Sequence, residues 1–149
     1  MAPVDPDKLR HHLDYARANL RHLERIREEG RESFLEDERT QMATVRLLHT
    51  AIEALLDCGH HVIAREGLGI PRSYSDTITL LVEADILPRE DSDTFQRMVR
   101  FRNLAVHLYD EVAAEEVWKI VEDHLPDLNR FIGAIGRRYL SEPEPASEG

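Results

Sequence analysis

Apolar residues recur in this chain at helical spacing, and the alternate-residue pattern of a half-buried strand is missing. Leu9, Leu13, Ala16, Leu20 and Leu23 step by four and three along one face. Asp5-Pro6 opens that helix with an N-cap acid and a proline at the first helical position, and Gly30 closes it. Ser33 and Glu36 have capping-box spacing. A long second helix is predicted from Phe34 or Asp37 to Glu66, with Val45, Leu48, Ile52, Leu55, Val62 and Ile63 inward. Gly67, Gly69 and Pro71 end it. Ser73 starts a short helix with Ile78, Leu81 and Val82, which stops near Asp85, and Pro88 begins a fourth with Phe95, Met98, Val99 and Val106. The last helix is predicted over 114–140, with Val117, Ile120, Val121, Leu125, Leu128, Phe131 and Ile135 inward and a kink or break at Pro126. The pattern predicts an all-α, up-and-down antiparallel bundle of about five helices over residues 1–140. The acidic SEPEPASEG tail, 141–149, is expected to be disordered.

Composition narrows the chemistry. A chain of 149 residues with 42% hydrophobic residues is long enough for one domain with its own core. One cysteine excludes an intramolecular disulfide and a Cys-rich zinc site. No apolar run reaches the ~18 residues of a membrane helix, and Met1–Pro6 has no export-signal character. A cytoplasmic location and no membrane partner are therefore expected. Glycine-rich phosphate loops, a serine nucleophile elbow and a His-Glu-x-x-His metal helix are absent. A net charge of -10 argues against binding nucleic acid by bulk attraction.

One segment inverts that charge. Gln96–Glu111 reads QRMVRFRNLAVHLYDE, with Arg97, Arg100 and Arg102 inside six positions and no acid before Tyr109. A histidine can exchange a proton at neutral pH, and an arginine fork matches phosphate oxygens. Together they suffice to cleave RNA: a base takes the 2′-OH proton, and a guanidinium stabilises the charge that builds at phosphorus. DNA lacks the 2′-OH and is not a substrate for this route. Five residues turn about 500° on a helix, so Arg102 and His107 converge only if the helix ends near His107 or the arginine reaches round. Asn103 and His107, at i and i+4, share a face, which gives Asn103 a supporting role. Taken alone, these residues leave other roles open. Arg97 and Arg100 suit a solvated face as well as RNA, Asn103 suits a helix C-cap, and Tyr109 suits an ordinary packed ring.

The segment and its flanks resemble the HepT-like toxins of the HEPN superfamily. The pattern is R-x4-H-x-Y, filled by Arg102, His107 and Tyr109 in RNLAVHLY. Ala51–Tyr74 is similar to the family's second helix and Gly-Pro turn, and LPDLNRF to its final helix with an internal proline. Ala105 departs from the larger aliphatic residue common in relatives. The resemblance implies a homodimer with two sites near its cleft and a metal-independent endoribonuclease without a cofactor. In it, Arg102 and His107 are catalytic and Asn103 supports them; the locally basic strip of Arg97, Arg100 and Arg102 adds Arg97 and Arg100 as RNA-binding residues. It also implies a toxin whose nucleotidyltransferase antitoxin transfers AMP onto Tyr109. A second reading is a non-catalytic helical module that binds such a partner and is modified by it. His11, His12, His22, His49, His60, His61 and His124 do not converge on a catalytic motif. The adjacent His60 and His61 point about 100° apart, too far to bind one metal together, although Cys58 and Asp57 are near.

Overall fold

A computed structural model describes residues 3–108 and 112–142, with the backbone alone at 107 and 108. Among the described residues it contains seven α-helices and no strand: α1 Pro6–Glu29, α2 Arg31–Glu36, α3 Glu38–Glu66, α4 Tyr74–Glu83, α5 Ser92–Leu108, α6 Ala114–Asp123 and α7 Leu125–Tyr139. A 3-10 turn, Arg89–Asp91, leads into α5. The all-α expectation is met, with two more helices than the expected five. Gly30, at φ +94°, breaks the chain before α2, and Asp37 caps α3 through the amide of Thr40. Ser33 therefore lies within α2 and starts no helix. Pro126 does not kink one long helix; it sits in the first turn of α7, where its missing N–H costs nothing. Ser73 caps α4 as expected, accepting from the Asp76 amide.

The long α3 is the axis of the fold. The backbone N–H of Asp5 donates to His61 Nε2 (2.9 Å), Cys58 Sγ lies 3.8 Å from the Leu9 carbonyl, and Asn19 donates to the Leu47 carbonyl (3.1 Å). As α1 advances, its partners on α3 descend, so the two helices are antiparallel. Leu9, Leu13, Leu48, Leu55, Phe95 and Phe131 are fully buried in one continuous core, which follows the apolar stripes of the sequence. α4 approaches α3 closely at Gly59. A Cβ there would lie 2.8 Å from Thr77 Cγ2 and 2.9 Å from Leu81 Cδ1. Val106, expected to face inward, is 37% exposed. Glu142 docks back on α1 by pairing with Arg17. Among the described residues, no helix is long and apolar enough to cross a membrane.

Candidate active site

Arg102 projects from α5 onto α3. One Nη donates to Glu53 Oε1 at 2.8 Å, the other to Asn103 Oδ1 at 3.2 Å. The guanidinium carbon lies 4.8 Å from the centroid of the Tyr74 ring, a cation–π contact from α4. Nε is buried with no partner among the described residues. The side chain is 18% exposed, held by groups from α3, α4 and α5. An arginine has five N–H donors, and Glu53 and Asn103 occupy one on each Nη. One hydrogen on each Nη is left without a partner among the described residues.

Glu53 is shared. Its second oxygen lies 3.3 Å from His49 Nε2, one turn back on α3. Burial lowers the pKa of His49, an effect that the Glu53 carboxylate opposes. Tyr74 donates from its hydroxyl to Asp57 Oδ1 at 3.1 Å. Burial, and then the charge of Asp57, push that phenol up to about 12, so it remains a donor. Met42, Arg46, His49, Glu53, Asp57 and His60 follow one another on α3 by three or four residues, hence along one face. Sequence reasoning set His49 apart from the motif and left Asp57 and His60 without a role. The helical spacing to Glu53 was legible, but the residue to which that stripe would be joined was not.

The three arginines do not form a single strip. Arg97 and Arg100 are exposed and make no ion pair among the described residues, whereas Arg102 is drawn onto α3. Arg100 and Arg102 are two positions apart, about 200° of helical turn, so they serve different faces of α5. Asn103 Oδ1 accepts from Arg102, while any contact it makes with the His107 side chain lies outside the described residues. As described, α5 ends at Leu108, one residue past His107, and Arg102 reaches onto α3. The His107 side chain and the whole of Tyr109 lie outside the described residues. Beside the cluster, a groove of about 520 Å³ runs between α3 and α5, lined among others by Met42, Arg46, His49, Ala105 and Val106. Ala105 is buried in its wall, so the short side chain at that position leaves room in the groove. Among the described residues, no group of three or more His, Cys, Asp or Glu side chains is arranged to hold a metal ion.

An all-helical bundle that clamps one arginine beside an R-x4-H-x-Y segment is a HEPN-type domain. The chain belongs to the HepT-like ribonuclease family, whose model matches residues 16–135. It is 35% identical over 102 residues to the mRNA nuclease HepT of Shewanella oneidensis, covering 68% of this chain and 77% of that protein. It is 27% identical over 100 residues to the putative RNase YutE of Bacillus subtilis, covering 67% and 69%. The fold matches the solved structure of the tri-AMPylated Shewanella oneidensis HEPN toxin in complex with its MNT antitoxin. The TM-score is 0.82 at 28% identity, over 89% of this chain and 99% of that one.

Proposed function

We propose that this chain is the RNA-cleaving toxin of a toxin–antitoxin pair, with Arg102 and His107 at its centre. The observation that carries the reading is the arginine clamp: in a HepT-like ribonuclease, Glu53, Asn103 and Tyr74 fix the guanidinium, and one hydrogen on each Nη has no partner among the described residues. His107 takes the proton of the 2′-OH, and the 2′-oxygen attacks the adjacent phosphorus. The bond from phosphorus to the 5′-oxygen breaks, and that oxygen takes up a proton. The products are a 2′,3′-cyclic phosphate and a 5′-hydroxyl. Arg102 stabilises the charge on the phosphoryl oxygens, because a preoriented cation need not reorganise as the charge grows.

The chain acts as a homodimer in this reading. One histidine and one arginine make a sparse site, and two copies of the Arg102–His107 segment brought together make a richer one. Arg97 and Arg100, on the other face of α5, meet the RNA as it leaves the cleft. A nucleotidyltransferase antitoxin, such as the one bound to the Shewanella toxin, silences the site by AMPylating Tyr109. The added phosphate and nucleoside occlude RNA and compete for Arg102.

The test is incubation of purified protein with RNA in EDTA. Cleavage that leaves 2′,3′-cyclic phosphate ends and is lost in His107→Ala and Arg102→Ala supports the nuclease. Modification by the antitoxin without any cleavage favours the binding module. Mass spectrometry after coexpression should show AMP on wild type and none on Tyr109→Phe.

A further inference from the structure

The polar stripe of α3 continues past Arg102 into a second cavity that the cleavage chemistry does not use. Arg102 lies over one side of the Tyr74 ring, and the His60 ring lies 5.1 Å from the same ring, tilted 45°. Guanidinium, phenol and imidazole thus adjoin in a row across α5, α4 and α3. His60 and Asp57 then line an open cavity of about 410 Å³ with Lys8, His12 and His61. His60 Nε2 is buried and has no partner among the described residues.

The lining is chemically mixed. Burial holds His12 and His61 below the ordinary histidine value, so at neutral pH both are uncharged. His61 Nε2 accepts the Asp5 amide, which leaves its proton on Nδ1. One lysine and one carboxylate offset each other. Such a wall is poorly suited to a bare anion and well suited to a flat, uncharged ring with donors and acceptors on its edge. Resting on the nuclease reading, we infer that this cavity takes the base of an RNA nucleotide next to the phosphate held by Arg102. The imidazoles of His12 and His60 form its walls, Asp57 accepts from the base edge, and Lys8 at the rim meets the nucleotide's own phosphate.

Binding separates this site from catalysis. The probe is a short RNA with a 2′-deoxy nucleotide at the cleavage position and an abasic residue placed in turn at each flanking position, titrated against the His107→Ala protein. One abasic position should weaken binding about ten- to hundredfold, the range expected for losing a stacked base. The same RNA should lose much less when His12→Ala or His60→Ala is added, because the pocket is already impaired. His12 is partly exposed, so its variant keeps the proposal testable where His60→Ala fails to fold. Equal binding across the abasic series, or an equal abasic penalty with and without His12→Ala, overturns the base site. If wild type cleaves no RNA yet the series still discriminates through His12, the base site stands and the nuclease reading falls. If wild type cleaves RNA and no flanking base matters, the reverse holds.

Discussion

At the scale of single residues, Arg102 shows why a motif position and a site are different things. Its spacing to His107 was visible in sequence, but Glu53 lies 49 residues away and Tyr74 on another helix. In the proposed reading a planar fork serves Glu53, Asn103 and an incoming phosphate at once, and a lysine point charge does not. Arg102→Lys should therefore lower the RNA cleavage rate about a hundredfold, close to the loss of an oriented charge donor. A lysine variant that cleaves at the wild-type rate would sink the clamp argument. His61 supplies a pH prediction. Burial places its folded pKa below the ordinary histidine value, so below neutrality the unfolded chain binds protons that the folded chain resists. Stability then rises with pH, and it is lost as pH falls from about 7 through 6.5 toward the lowered folded value. Protonation also removes the acceptor used by the Asp5 amide. His61→Gln, which does not titrate, should flatten the dependence of Tm on pH below 7, and parallel curves for the two proteins would refute this.

Among the elements, the close packing of α3 against α4 places Tyr74 and Asp57 within reach of each other. Gly59 permits it, since a methyl group there meets Thr77 and Leu81 below 3 Å. Gly59→Ala should cost about 1–3 kcal/mol by overpacking, measured as a lower urea midpoint. Adding Thr77→Ser removes Cγ2 and should recover part of the loss. No recovery would show that the contact lies elsewhere. The helix ends were mostly legible, because Asp5, Ser73 and Gly67 act through neighbours a few residues away. The split at Pro126 was only half legible: proline is disfavoured inside a helix and favoured at its start, and the surrounding apolar stripe runs through both cases.

For the whole molecule, the net charge of -10 limits how RNA is held. In the proposed reading, exposed Arg97 and Arg100, the Arg102 guanidinium and Lys8 provide about four phosphate contacts per chain. For single-stranded RNA the plot of log affinity against log salt should have a slope of about -3 per protomer, by the ~0.7 per contact of single strands. Arg97→Ala should reduce that slope by about 0.7. A much steeper slope, or none, would place the contacts elsewhere.

The sequence alone determined the all-helical class, most helix boundaries, the inward faces and the position of the R-x4-H-x-Y segment, because these rest on residues a few places apart. Tertiary structure decided what that segment touches. The separation of Arg102 from Arg97 and Arg100, the sharing of Glu53 with His49, and the row from Arg102 through Tyr74 to His60 all depend on how three helices rotate and pack. That rotation is set by the summed fit of the core, including a partly polar contact such as Asn19 on an otherwise apolar face. Periodicity along one helix carries no record of the partner's side chains, so the site could be located in sequence but not assembled there.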